Sequence, residues 1–351
     1  MNIAGRAAHR LWVPRFAWGA LMGCVTSASA LLACGFHNYA PQPTLVERLL
    51  EAERIVLARP TSDDPFHFQA QKALLGSAEN ANIPFLVDTP TRRILMLKPN
   101  AQVVFAQQDA HAPWDRIIIA DSRTGPVTER IVAKLAIWKQ GGEADRYAMF
   151  AELLAHPDVR VHRLALRELD RVPYEVLRAL PLPLETLRLS KGLYDPQQRD
   201  LVPIRALLLG LARDPAVVPI LQRGVAAFLP ADGAELGAFA TALIEAQGAP
   251  AVRALMLNLA AADVSATGQE LIIEALAIHA QRVDPLVTHE IYALLGDAVT
   301  QQPTLAPAVS RQFGARFLWG MSAVVQAAAS EQLFDAADRD DVQRYLALSG
   351  G

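Results

Sequence analysis

The hydrophobic positions of this chain follow two different periods, and the change comes near residue 140. Before it, short apolar runs alternate with polar residues between Pro, Gly, Asn and Asp, which is typical of strands and turns. After it, apolar residues recur every three or four positions, which predicts amphipathic helices. The pattern therefore predicts an α+β protein in which a small β domain precedes an all-α domain.

The helical period is clearest in Arg146–Val172, where it predicts two helices separated by His156-Pro157-Asp158. Pro157 suits the first turn of a helix, where its missing N–H costs nothing, and Asp158 places a negative charge near the positive end of the helix dipole. Such a hairpin cannot bury both of its apolar faces alone. We therefore expect neighbouring hairpins of the same kind.

Later segments repeat the pattern of the second helix, residues 161–169. Its counterparts are residues 204–212, 238–246 and 271–279, with a further helix pair over residues 305–326. Offsets of roughly 30–45 residues are typical of HEAT and armadillo repeats. Residues 146–351 resemble a HEAT-like α-solenoid, with a compact helical bundle as the alternative, and the acidic run Asp335–Asp341 predicts the start of a last helix.

The predicted β domain covers residues 34–138. Thr44 and Glu47 form a capping-box pattern that opens a short helix. Five strands should follow: Ile55–Ala58, Phe66–Gln71, Ile83–Val87, Gln102–Ala106 and Arg116–Ala120. In the second of them, Phe66, Phe68 and Ala70 are expected to face the core. A helical stripe of Val127, Ile131, Leu135 and Trp138 should cover the sheet, and residues 139–145, with paired glycines, are the predicted linker.

Five strands and a helix suit a small barrel of the oligonucleotide/oligosaccharide-binding type. Three runs, LVERLLEAERIVLARP, PFHFQAQKALLGS and NAQVVFAQQD, resemble netrin-like domains of the tissue-inhibitor type. The resemblance implies a five-stranded barrel-like domain behind an exported N-terminal cysteine. The chain departs from that family because Cys24 and Cys34 are its only cysteines, whereas the family relies on disulfides.

Residues 1–33 have the layout of a bacterial signal peptide. Arg6, Arg10 and Arg15 are basic with no acidic residue beside them, and residues 16–33 carry no charge. Three outcomes stay open: cleavage after Ala30, lipidation of Cys34 at a lipobox, or an uncleaved membrane anchor. The pattern predicts a periplasmic or cell-envelope protein that meets the membrane only through this segment or a lipid anchor. The whole chain resembles uncharacterised exported bacterial proteins with a HEAT-like repeat region.

The strongest candidate for metal chemistry is Cys34-Gly35-Phe36-His37. Cys34 and His37 could ligate a metal, but a structural zinc site requires four ligands, and lipidation would consume the thiol. His67 is a candidate partner brought in by folding. The other candidates are expected to be ordinary structural residues: His156, His162, His279, His289, Trp114 and Trp138.

Charge and missing motifs narrow the function. The net charge is −3 and no basic run occurs, which argues against nucleic acid as the main partner. The chain contains no G-x-S-x-G, Walker A, G-x-G-x-x-G, H-E-x-x-H or C-x-x-C motif. We therefore expect a non-enzymatic scaffold without a cofactor that binds unidentified proteins. The alternative is a metal-binding protein or metal-dependent hydrolase that uses Cys34 and His37, and a weaker one is protease inhibition through a free Cys34.

Overall fold

The computed structural model describes residues 42–231, 233–261, 264–281 and 284–350. The predicted signal peptide, Cys34 and His37 lie outside these residues. The described residues are α+β and 64% helical, with a small antiparallel sheet followed by many helices, as the hydrophobic pattern predicts.

The sheet in the described ranges has four strands: β1 Arg54–Arg59, β2 Gln69–Leu75, β3 Gln102–Gln107 and β4 Asp115–Ala120. Their order is β2-β1-β3-β4, and every neighbouring pair is antiparallel. The two central strands are the most buried, and β2 and β4 form opposite edges. The sheet is therefore open.

The prediction of a five-stranded barrel was wrong. The expected strand Ile83–Val87 is absent, and within it only Leu86 forms an isolated bridge, to His67. Pro84 explains this, since proline has no N–H to donate to a strand ladder. The second strand also begins later than expected, at Gln69. Phe68 is buried as predicted, whereas Phe66 is 56% exposed.

Three helices accompany the sheet: α1 Leu45–Leu50, α2 Thr89–Leu97 and α3 Thr124–Lys139. The capping box is confirmed, because Thr44 accepts from the N–H of Glu47 and the Glu47 carboxylate accepts from the N–H of Thr44. The predicted α3 stripe is also confirmed, since all four of its residues are buried. One face of the sheet packs in a small core around Phe105, and the other joins the main core with α1 and α3.

Thirteen α-helices follow in the described ranges, together with five short 3-10 helices: α4 Glu143–Leu153, α5 Val159–Leu169, α6 Tyr174–Ala179, α7 Thr186–Gly192, α8 Val202–Leu211, α9 Val218–Phe228, α10 Ala234–Gln247, α11 Ala249–Leu259, α12 Ala266–Ala280, α13 Pro285–Gln301, α14 Ala306–Gly314, α15 Ser322–Glu331 and α16 Ala336–Leu348. The predicted hairpin is confirmed as α4 and α5, but Pro157 lies before α5 and not in its first turn, because Asp158 is the N-cap. The predicted last helix is confirmed as α16, capped by Asp335. None of the helices in the described ranges combines the length and the apolar character needed to span a membrane.

The later helices pack in two layers. In one layer α8, α10, α12, α14 and α16 each contact the next, and in the other α11, α13 and α15 do the same. Runs of ten consecutive buried residues begin at residues 201, 236 and 271, which are 35 residues apart. Gly210 lets the backbones of α8 and α10 approach closely, since a Cβ there would lie 2.5 Å from the Cα of Ala242. The central helices are thus covered on all sides along these runs.

Candidate functional site

The residues proposed for metal chemistry are only partly described. Cys34 and His37 lie outside the described residues. His67 is exposed, and its Nδ1 lies 2.9 Å from Oδ1 of Asp64. The hydrogen bond from His67 holds the pKa of Asp64 below its usual value. In the described ranges no group of three or more His, Cys, Asp or Glu side chains is placed to hold a metal ion.

His67 and Asp64 line a groove of about 660 Å³ beside the edge strand β2. The far wall comes from the irregular segment 78–83, which contributes the amides of Asn80 and Asn82. With Gln69 of β2, the groove is lined by one carboxylate, one imidazole and three amides, and it lies open to solvent. An imidazole whose Nδ1 faces a carboxylate is the usual arrangement of a histidine that ligates a metal through Nε2.

The other histidines have structural surroundings. His156 Nδ1 accepts a hydrogen bond of 3.1 Å from the N–H of Asp158, in the turn before α5. His162 is buried, its Nδ1 lies 2.8 Å from the carbonyl oxygen of Leu154, and burial lowers its pKa. His289 lies on the exposed side of α13. The structure does not bring His156 and His162 together with acidic side chains as a metal site.

Both tryptophans named from the sequence are core residues. Trp138 is 4% exposed, packs on Phe150 and donates from Nε1 to Asp145 at 2.9 Å. Trp114 is 7% exposed and lies beneath the guanidinium of Arg54. Their faces are covered, so they do not form an aromatic platform for a ligand.

A buried polar cluster surrounds Glu245 of α10, which sequence reasoning missed. Its side chain is fully buried. Oε1 accepts from Arg213 at 2.8 Å, and Oε2 accepts from the hydroxyl of Tyr174 at 3.1 Å. Arg178 Nε also lies 3.1 Å from Oε2, although it is not aligned for a hydrogen bond. The available signal was an acid within the otherwise apolar helix FATALIEAQ.

His279 of α12 completes this cluster. Its Nδ1 lies 2.9 Å from the carbonyl oxygen of Ala275, and its Nε2 lies 3.6 Å from Oε2 of Glu245. The side chain is fully buried and Nε2 makes no hydrogen bond within the described residues. Because both oxygens of Glu245 are engaged by donors, from Tyr174 of α6 and from Arg213 after α8, this carboxylate has a structural role and is not a free base or nucleophile.

A candidate binding surface lies on the second layer of helices, where α11 and α13 pack together. Arg253 and Glu290 form an ion pair of 2.8 Å between these helices. One helical turn from the pair on each helix, Leu257 is 77% exposed and Leu286 is 75% exposed. We call these four residues the outer face. It combines exposed apolar side chains with charged groups, as the contact surfaces of protein-binding domains do.

Comparison with protein-family models, curated proteins and solved structures found no match. The function is therefore inferred from the geometry of the chain itself.

Proposed function

We propose that this chain is an exported, non-enzymatic protein of the bacterial periplasm or cell envelope that binds other proteins through a HEAT-like stack of helices. The observation that carries the proposal is the pair of helical layers with buried runs at intervals of 35 residues. Stacked helical hairpins of similar period present extended surfaces, which repeat proteins use for binding other proteins.

The outer face is the proposed contact surface. Leu257 and Leu286 expose more than two thirds of their side chains on neighbouring helices. A partner that covers them would bury apolar surface, which is the main favourable term in protein association. Arg253 and Glu290 lie beside them and supply polar contacts that orient the partner.

Site-specific photo-crosslinking tests this surface in cells that produce the full chain. A photoreactive residue at Leu257 or at Leu286 should yield an adduct of the same mass at both positions. The matched control is Leu333, which is 91% exposed but lies between α15 and α16, away from the outer face. Absence of adducts at Leu257 and Leu286, or equal adducts at Leu333, would reject the proposed surface.

Intact mass after cell fractionation tests export. A mature chain that starts at Leu31 in the soluble periplasm supports a diffusible protein, and one that starts at Cys34 with added acyl mass supports a lipoprotein. An uncleaved chain in the membrane fraction supports the anchor. A soluble cytoplasmic chain that retains the whole N-terminal segment contradicts export.

The second candidate function is a metal-binding protein or metal-dependent hydrolase, favoured by the Asp64–His67 pair at the polar groove. In it, Cys34 and His37 would join His67 as ligands. Elemental analysis of the purified protein decides between the two candidates. Stoichiometric zinc, copper or iron that is lost on His37→Ala and on His67→Ala would replace the scaffold proposal, provided that His289→Ala retains the metal.

A further inference from the structure

Helix α2 has apolar side chains on two opposite sides. Thr91 and Leu95 are each 2% exposed and face the protein. At 100° per residue, Arg93, Met96 and Leu97 lie on the side away from them. Met96 is 75% exposed and Leu97 is 73% exposed, and Ile94 beside them is 36% exposed. A helix on the surface of a globular protein ordinarily carries polar residues on that side.

Basic residues accompany these apolar side chains. Arg93 is exposed, and Lys98 at the end of the helix is half-exposed while it pairs with Asp121 at 2.6 Å. The guanidinium of Arg92 lies 4.8 Å from the ring centre of Phe66, which is itself exposed. Residues 89–98 contain no acidic residue. The solvent side of α2 therefore combines apolar and positively charged groups.

The helix is held firmly at both ends. The Asp88 side chain accepts a hydrogen bond of 2.7 Å from the N–H of Thr91 and caps the first turn. At the other end, Arg59 donates to the carbonyl oxygens of Leu95 at 2.8 Å and Ala101 at 2.7 Å. Because α2 is already formed, contact with a partner surface would not require its folding.

We propose that Arg93, Ile94, Met96 and Leu97, which we call the α2 face, lie against an anionic phospholipid membrane. Helices that expose large apolar side chains between basic residues lie in the plane of the interface. Their apolar side chains enter the boundary between headgroups and acyl chains, and Lys and Arg are attracted to anionic lipid. This membrane contact is additional to any made by the N-terminal segment, and it does not depend on the proposed protein-binding function.

The positive charge of the α2 face disfavours a second copy of this chain as the partner that covers it. A symmetric dimer places the same patch of both subunits together, so the basic residues of two α2 faces would oppose each other. Like charges brought together across an interface disfavour association. A negatively charged lipid surface has the opposite sign and matches both Arg93 and the exposed apolar side chains of the α2 face.

Co-sedimentation of the purified full chain with vesicles tests the proposal. Vesicles of phosphatidylglycerol and phosphatidylcholine should bind the protein more strongly than phosphatidylcholine alone, and salt should weaken the difference. The double variant Met96→Gln/Leu97→Gln should lower partitioning roughly tenfold. The matched control is Leu333→Gln, an exposed leucine between α15 and α16 that belongs to neither proposed surface, which should bind like the parent chain. Residues 1–41 are the same in all three proteins, so their contribution is constant.

Quenching by brominated lipid supplies a second readout that does not depend on affinity. A tryptophan introduced by Met96→Trp should be quenched more than one introduced by Leu333→Trp, each compared with the parent chain. Equal binding by the double variant and the parent chain, with equal quenching at the two positions, would overturn the proposal. Sedimentation velocity tests whether a second copy covers the α2 face instead. If the parent chain self-associates and the double variant does not, a second copy is the occupant, and the membrane proposal is overturned.

Discussion

The carboxylate of Glu168 lies at the N-terminus of α1, where its Oε1 accepts a hydrogen bond of 3.0 Å from the backbone N–H of Val46. Its Oε2 accepts from Arg146 at 2.5 Å, and Arg146 also donates to the hydroxyl of Thr44 at 3.2 Å. Glu168 and Arg146 are both buried. One ion pair thus joins the α4–α5 hairpin to the helix that begins the described chain.

Breaking this pair from either side should destabilise the protein. Glu168→Gln leaves Arg146 buried without a counter-charge, and Arg146→Met does the same to Glu168, so each should lower the free energy of unfolding by about 3 kcal/mol. The double variant Arg146→Met/Glu168→Leu should lose less than the sum of the two, because it leaves no buried charge. Urea denaturation of the four proteins measures the coupling, and additive losses would show that the pair is not coupled.

Glu245 should matter more for stability than the arginine that it pairs with at the surface. Glu245→Gln removes the counter-charge of Arg178 and Arg213 in a buried cluster, and we expect a loss of about 3 kcal/mol in the free energy of unfolding. Arg213 is 62% exposed, so Arg213→Ala should cost no more than about 1 kcal/mol. Thermal and urea unfolding of both variants checks this order, and equal losses would contradict it.

Two glycine substitutions should act in opposite directions. Gly210→Ala places a methyl group 2.5 Å from the Cα of Ala242, which forces α8 and α10 apart and should cost about 1–3 kcal/mol. Gly296→Ala in α13 meets no atom within 4 Å and should add about 0.5–1 kcal/mol, because alanine favours the helix. Urea denaturation measures both changes. A neutral Gly210→Ala would show that the two helices can separate without loss.

His162 should contribute to a loss of stability in acid. Burial lowers its pKa from the ordinary value of 6.5, so below that pH the unfolded chain binds a proton that the folded chain resists. The free energy of unfolding is therefore highest above about pH 6.5, where His162 is neutral in both states. It decreases as the pH falls toward the lower pKa that His162 has in the folded protein. The free energy of unfolding measured between pH 7.5 and pH 5, roughly a unit either side of the histidine range, should vary less in His162→Gln than in the parent chain. The matched control is His289→Gln, which makes the same replacement at an exposed histidine of α13.

Features that depend on neighbouring residues were predicted well. The Thr44–Glu47 capping box, the α4–α5 hairpin and the start of α16 at Asp335 all involve side chains within a few positions of the backbone groups that they cap. Periodicity also placed the buried stripe of α3. These patterns are readable because one or two turns of chain contain both partners of each interaction.

The sheet was predicted less well because a strand is defined by its partner. Residues 83–87 have the composition of a strand, but Pro84 cannot supply a ladder hydrogen bond and only Leu86 pairs. Phe66 and Phe68 follow the same alternation, yet the first is mostly exposed and the second is buried. Pro84 is a local signal against the strand at residues 83–87. The exposure of Phe66 has no such local signal, because it depends on where the sheet ends.

By itself, the sequence determined the α+β class, the change from strands to helices and the caps that begin individual helices, because these follow from interactions between near neighbours. Only the tertiary structure decided which groups the buried carboxylates contact. Glu245 joins Tyr174 and His279, and Glu168 joins Val46, across separations in sequence that no local pattern records. An acid within an apolar helix shows that a buried charge needs compensation. Its partners are set by the packing of the helices around it.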